Sequence, residues 1–289
     1  MATINDLLSL IDLDFSTGTI IIGDNKLENI NLQEKDKITK WLYCVLHTGN
    51  LVDDVIEENN NNELVQNYFE EQDIDQRVLI KPNSKFVLDS NTVLLDGIKV
   101  LVNNNKEFYL TKLYYNLSPG FIVYKNVDLF SPYYITKRFY IGCPNFKDAL
   151  KIWTEIISKL NENNIEYISK ILSVESYYPR NDSIVIYCDE ESENKVEKII
   201  VDVCSNNVLK SNSFLSRKII EGVSKADNPE DKNYSFGQHR CECISDAILD
   251  SLTTGIEFPI TLENRLIQYG IDLKDISKNG SKHENDINY

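Results

Sequence analysis

The sequence predicts an α+β fold: N-terminal helices, then an antiparallel or mixed sheet flanked by further helices, in a single compact unit. Three observations point to it. Apolar residues recur at helical spacing over the first 58 positions. Between 77 and 127 the period shortens to strand-like alternation, broken by turn residues. From 133 onward, strand-like and helix-like segments follow one another. At 289 residues, 42% of them hydrophobic and 26% charged, the chain has ample core for one large domain or two modest ones.

Taken in order, residues 3–12 read as a short amphipathic helix and 32–58 as a longer one. In the second, Ile38, Leu42, Val45 and Leu46 face the core, and His47 is a packed or surface histidine rather than a ligand. Residues 57–62, EENNNN, form a polar loop. RVLIK, KFVLD, TVLLDGIKVLV, EFYLTKLYYNL and GFIVYKNV are strands of an antiparallel meander, with Asp96-Gly97 as a hairpin signal. YITKRFYIGC is the next strand. Asn145 caps a helix whose buried face is Phe146, Leu150, Trp153, Ile157 and Leu160. IEYISKIL and SIVIYC are strands, and 194–204 is a helix with Val196, Ile199, Ile200 and Val203 inward. After a polar loop, SKADNPEDKNY, a helix begins at Ser235, which stands with Gln238 in the S-x-x-Q relation of a capping box. Ile244, Ile248 and Leu252 give it an apolar face. Order ends near Gly270, and the polar tail with His283 is expected to be mobile.

Forty-five acidic against thirty basic residues give a net charge of −15, which argues against nucleic acid or an anionic membrane as partner. No apolar run approaches the roughly 20 residues that span a bilayer. The acidic N-terminus lacks the basic start of a secretory signal, so a cytoplasmic location and free thiols on the six scattered cysteines are expected. Cys241-x-Cys243 is too tight for a zinc knuckle, and no P-loop, G-x-G-x-x-G or H-E-x-x-H occurs. No metal and no cofactor are expected.

The chemistry concentrates around residues 232–252. Helix N-terminal N–H groups, Ser235, Gln238, His239 and Arg240 gather where an anion, phosphate above all, would be held, and Gly237 leaves the backbone open to an oxyanion. The alternative is that His239 and Arg240 decorate an ordinary helix start. Lys170 shares an otherwise apolar strand face with Ile168 and Leu172, where desolvation would make it a base. It could equally face solvent or pair with Asp182 or Glu166. Arg138 beside Tyr140 poses the same question. Arg180 near Asp182 is either a structural ion pair or an anion ligand. Lys218 follows Arg217, and one of the two faces inward. A lysine base, a histidine acid and several guanidiniums suit proton abstraction with expulsion of phosphate.

These residues carry a resemblance. Arg138-Phe139-Tyr140, Lys170-Ile171-Leu172, Tyr178-x-Arg180-x-Asp182, Ala226-Asp227-x-Pro229 and Ser235-Phe-Gly-Gln-His-Arg-Cys241 resemble, in order and spacing, the family named after the HopA type III effector. The likeness is good over 130–252 and only general before it. It implies a divergent helical and β-meander portion at 1–130, a HopA-like core at 131–255, and a C-terminal extension with a mobile tail at 256–289. Members include plant-pathogen effectors and the phosphoserine/phosphothreonine lyases of class V lanthipeptide and thioamitide biosynthesis. The resemblance therefore implies elimination of phosphate from a ribosomal precursor peptide to give dehydroalanine or dehydrobutyrine, with a separate kinase as partner. Lys170 would then take the α-proton and His239 would assist the leaving phosphate. Arg138, Arg180, Lys218, Arg240 and Ser235 would bind its oxygens, while Tyr140, Asp182 and Gln238 shape and orient. Lys225 is a further candidate for the phosphate site. The other readings are a type III effector that binds a host protein, and a phosphopeptide-binding protein without turnover.

Overall fold

A computed structural model of the chain describes residues 2–14, 16–30, 33–51, 61–80, 87–89, 91–95, 98–102, 107–127, 134–204, 208–231 and 233–280. It opens with a helix at Ile4–Leu10 (α1) closed by a Thr3/Asp6 capping box. Three short strands, Ile11–Asp14 (β1), Thr19–Ile22 (β2) and Asn25–Leu27 (β3), form a small antiparallel sheet. Lys35–Leu42 (α2) runs directly into a π-helical turn, Tyr43–Thr48. That turn stops at Gly49, whose φ of 70° favours glycine and whose N–H donates to the Cys44 carbonyl. The helix expected over 32–58 is therefore shorter, and its last residues, like the Asp96-Gly97 turn and His283, lie outside the described residues.

Asn62–Glu71 (α3) precedes six strands: Arg77–Ile80 (β4), Thr92–Leu95 (β5), Ile98–Leu101 (β6), Phe108–Thr111 (β7), Leu113–Ser118 (β8) and Phe121–Asn126 (β9). They are not one meander. β4 pairs with β7 and β5 with β6 as separate ribbons, while β8 and β9 join the main sheet. There follow Lys137–Cys143 (β10), Phe146–Glu162 (α4), Tyr167–Leu172 (β11), Arg180–Cys188 (β12), Glu193–Val203 (α5), Arg217–Ile220 (β13), Val223–Asp227 (β14), Phe236–Thr254 (α6) and Phe258–Gln268 (α7).

The main sheet has seven strands in the order β13-β14-β10-β12-β11-β9-β8, and every neighbouring pair is antiparallel. Strands from both sides of residue 130 share it, so the chain forms one compact fold. Both faces are covered, which explains why β12 is buried along nearly its whole length. On one face Phe139, Ile141, Ile171, Ile184 and Ile186 pack against α4 and α5, joined by Val65 and Phe69 of α3. Asn145 accepts from the Asp148 N–H to start α4, and the five apolar residues expected on its inner face are all buried. Trp153 is fully buried and donates from Nε1 to Ser169 Oγ of β11 at 3.0 Å.

On the opposite face Tyr140, Val185 and Ala226 meet α6, which is covered in turn by α1, α2, α7 and β2. α6 is buried almost all round, not along one stripe. Two segments expected to be loose are ordered. The charged stretch after Gly222 is strand β14, because Lys225 is neutralised by Glu193 and Glu197 at 2.6 Å each. Residues 271–280 pack back on the body through buried Ile271 and Ile276, with the Ile276 N–H donating to the Ala2 carbonyl.

Candidate functional site

Register on the α6 side of the sheet decides which of the expected site residues meet. Lys218, Ser224, Tyr140, Val185, Lys170 and Val123 stand opposite one another across six strands, forming one row on one face. The next row holds Arg138, Tyr187, Ile168 and Lys125. Between Ile141 and Cys143 the β10–β12 register slips, since their partners are Ile184 and Arg180. Three residues of β12, Asn181, Asp182 and Ser183, there stand against the single Gly142 of β10.

Asp182 is the centre of the arrangement. Its carboxylate, 3% exposed, accepts two hydrogen bonds from Arg180, Nε to Oδ1 at 2.8 Å and Nη2 to Oδ2 at 2.9 Å. Burial alone would raise its pKa. Attraction from Arg180, His47 and Lys170, with the Arg180 hydrogen bonds, overrides that and holds the carboxyl well below its ordinary range. Lys170 is half-buried. Its ammonium lies 4.1 Å from the centre of the Phe121 ring, which the Arg180 guanidinium also approaches at 6.0 Å. Among the described residues Lys170 has no ion pair and no hydrogen bond. Arg138 donates to Asn228 Oδ1 at 2.6 Å and stacks over Tyr187, likewise without a carboxylate among the described residues. Lys170, Arg138 and the Arg180–Asp182 pair therefore leave net positive charge on this face of an acidic protein.

The sequence missed the two side chains that close this site from above. The π-helical turn widens the helix so that Tyr43 and His47 both reach Asp182: Tyr43 donates from its hydroxyl to Oδ2 at 3.3 Å, and His47 Nε2 lies 3.9 Å from the same oxygen. His47 Nδ1 is 2.8 Å from Ser213 Oγ. The imidazole is wedged between Tyr43, Tyr140 and Phe236, and burial pushes its pKa down to about 4. Tyr140 is buried with a hydroxyl that has no good hydrogen bond, though it lies close enough to Arg138 to feel its charge. The one available signal was that Tyr43 and His47 sit four apart on a helix otherwise facing the core.

α6 behaves differently from expectation. Ser235 Oγ accepts from the Gln238 N–H at 3.2 Å, but the Gln238 amide turns to Glu242, so only half of the capping box forms. Gly237 does not open the backbone to an anion. A Cβ there would stand 2.5 Å from His47 Cδ2 and 2.7 Å from Tyr43 Cε2, so glycine lets the helix seat against those rings. Arg240 is 1% exposed. It stacks on Phe236, donates to the carbonyls of Ile276 and Lys278 and to Asn279 Oδ1, and so holds the C-terminal segment rather than facing the Lys170 site. Burial lowers its pKa to about 10. Its Nη1 lies 2.7 Å from His239 Nδ1. An arginine can only donate, so the His239 proton resides on Nε2. Burial first, and the Arg240 charge second, lower the His239 pKa to about 4.

His239 lines a cavity of about 1140 Å³ beside Tyr234, Tyr269 and Asn279, and Lys170 is not among its described lining residues. The structure thus does not bring Lys170 and His239 into one pocket. Lys218 is exposed on the edge strand and faces Glu221 at 3.6 Å, and Lys225 is spent on its two glutamates. Among the described residues no group of three or more potential metal ligands occurs, and no helix is long and apolar enough to cross a membrane. Burial raises the thiol pKa values of Cys241 and Cys243.

Comparison with known proteins gives one family. The model of the HopA1 effector protein family matches residues 113–277. Among solved structures, the chain is similar to the effector protein from Pseudomonas syringae pv. tomato strain DC3000, with a TM-score of 0.54 at 14% identity over 86% of this chain and 91% of that one. It is also similar to the effector protein from Pseudomonas syringae pv. syringae strain 61, with a TM-score of 0.50 at 12% identity over 88% of this chain and 100% of that one. No curated protein matches it.

Proposed function

The chain belongs to the HopA1 effector protein family, and from that premise we propose that it is a lyase acting on phosphoserine or phosphothreonine in a peptide. The observation that carries the reading is Lys170: a half-buried amino group with no close ion pair and no hydrogen bond among the described residues, sharing a ring with Arg180 on a face that also bears Arg138. A phosphoryl group supplies the missing anion. Arg180 and Arg138 bind its oxygens, with Arg180 held in orientation by Asp182. Lys170, once it has given a proton to solvent, removes the α-proton of the phosphorylated residue as the free amine and is left as the ammonium. The electron pair of that C–H bond becomes the new Cα=Cβ double bond. The Cβ–O bond breaks, and its electrons leave with the phosphate, whose charge the two guanidiniums take up. The products are dehydroalanine or dehydrobutyrine and inorganic phosphate. The substrate is a ribosomally made precursor peptide phosphorylated by a separate kinase in the cytoplasm.

His239 stands outside this scheme as the geometry has it, so the two expected catalytic residues separate by experiment. Incubation with a phosphoserine peptide, followed by mass spectrometry, should reveal loss of phosphoric acid. Lys170→Ala should slow that loss by at least about a hundredfold, the scale of a missing general base. His239→Ala should slow it by less than about tenfold; an effect as large as that of Lys170→Ala would return His239 to the reaction as acid. Membership of an effector family is compatible with a second reading, a type III effector or phosphopeptide-binding interaction protein without turnover. Peptide retained with its phosphate intact would establish that reading instead.

A further inference from the structure

With His239 lining a separate cavity, the elimination just described has a base and no acid. Breaking the Cβ–O bond leaves an electron pair on the phosphate oxygen, and a proton delivered there lowers the barrier. One buried side chain on the same sheet face has such a proton to give. Tyr140 is 3% exposed, and its hydroxyl has no hydrogen-bond partner among the described residues. Its neighbours show why. The ring packs T-shaped against His47 at 4.9 Å and lies 5.9 Å from Phe236, centroid to centroid. His47 spends Nδ1 on Ser213 and turns Nε2 toward Asp182. Arg138 is close enough for its charge to act on the phenol, but a guanidinium only donates and cannot receive the hydroxyl proton. Burial raises the pKa of the phenol, so the proton stays in place at neutral pH. A buried O–H without an acceptor is destabilising and calls for one from outside the chain.

Register supplies the position. Tyr140, Val185 and Lys170 are successive members of one row across β10, β12 and β11. Phenol and amine therefore rise from the same face on either side of a single valine, their Cα atoms two strand spacings, roughly 10 Å, apart. Arg138, two residues before Tyr140 on β10, stands in the next row of that face. A phosphate held by Arg138 brings an oxygen to the side of the site where the phenol lacks an acceptor. We propose that the Tyr140 hydroxyl gives its proton to the ester oxygen of the phosphorylated residue as the Cβ–O bond breaks, while Lys170 takes the α-proton. The C–H electrons form the Cα=Cβ bond, the ester oxygen keeps the Cβ–O pair and gains the phenol proton, and phosphate departs as the hydrogenphosphate dianion. Lys170 is left as the ammonium and Tyr140 as a phenolate beside Arg138. Solvent returns the proton from one to the other, so no co-reactant is consumed. The inference rests on the lyase reading and adds the acid that it lacks.

The test compares the full native chain with Tyr140→Phe on two versions of one peptide, carrying phosphoserine or S-phosphocysteine at the same position. The sulfur of the second is a weaker base than the ester oxygen and leaves without a proton. On phosphoserine, Tyr140→Phe should lower kcat about a hundredfold and change KM by less than about threefold, the pattern of a group that acts only as the bond breaks. On S-phosphocysteine the two proteins should differ by less than about fivefold. The melting temperature of Tyr140→Phe should equal or exceed the native one, because the hydroxyl removed bonds nothing in the free protein. A native rate in Tyr140→Phe, equal losses on both peptides, or a melting temperature clearly below the native one overturns the inference. Elimination that Tyr140→Phe carries out at the native rate sinks the acid alone. Failure of the native protein to eliminate from either peptide sinks the lyase reading, and the acid with it.

Discussion

At the scale of single residues, Asp182 and Arg180 are each other's justification. A carboxylate buried to 3% is tolerable only while the guanidinium neutralises it, and the guanidinium only while it has the carboxylate. Asp182→Ala leaves a buried, uncompensated cation and should cost about 3–5 kcal/mol in denaturant unfolding. The loss should shrink in the Arg180→Met/Asp182→Leu double variant. Lys170 makes the contrasting case. It has no close ion pair and no hydrogen bond to lose among the described residues, only its place over the Phe121 ring, so Lys170→Ala should change stability by less than about 1 kcal/mol while slowing turnover at least about a hundredfold. These three were legible in the sequence because they sit on two adjacent strands and near one another along the chain. Tyr43 and His47 were not, since Tyr43 lies 139 residues from Asp182 and nothing local announces the meeting.

At the scale of elements, the contact of α6 with the π-helical turn governs the closure of the site. Gly237→Ala should destabilise the fold by about 1–3 kcal/mol through overpacking against His47 and Tyr43, and His47→Ala should relieve much of it in the double variant. The C-terminal segment is the second such element. A chain ended after Gly270 removes three acceptors of buried Arg240 and should lower the melting temperature of the whole protein rather than trim a loose tail. Capping residues made α4 and α6 readable, because Asn145 and Ser235 are local signals. α3 escaped because its asparagine-rich surroundings resemble a loop and only Val65 and Phe69 are buried. β14 escaped because the glutamates that neutralise Lys225 come from α5, out of reach of local pattern. The tail read as mobile for the same reason: its ordering partner, Arg240, lies 36 residues before Ile276.

At the scale of the molecule, one sheet with two covered faces separates a largely apolar layer of α4 and α5 from a layer in which buried polar groups accumulate. His47 and His239 belong to the second layer, and both are held neutral with pKa values of about 4 against an ordinary 6.5. The unfolded chain therefore binds more protons than the folded one between those values, so stability falls as pH drops through that window, by on the order of 3 kcal/mol per histidine. Asp182, with its depressed pKa, adds a further loss at still lower pH, as acid protonates it. Unfolding free energy measured from pH 7 to pH 4 should decline steadily in the native protein and less in His47→Phe; a flat profile would contradict buried, neutral histidines. The helix–sheet alternation that set the fold class was visible in the sequence, but the all-antiparallel strand order was not, since it depends on pairings between distant segments.

The most direct test of the Lys170 site is ³¹P NMR of a phosphoserine peptide mixed with the native protein and with Lys170→Ala. The native protein should convert the phosphoserine resonance to that of inorganic phosphate as vinyl protons of dehydroalanine appear. Lys170→Ala should shift the phosphoserine resonance, through Arg180 and Arg138, without consuming it. A resonance that neither protein shifts or consumes, or one that both consume at the same rate, contradicts a phosphoryl site built on Lys170.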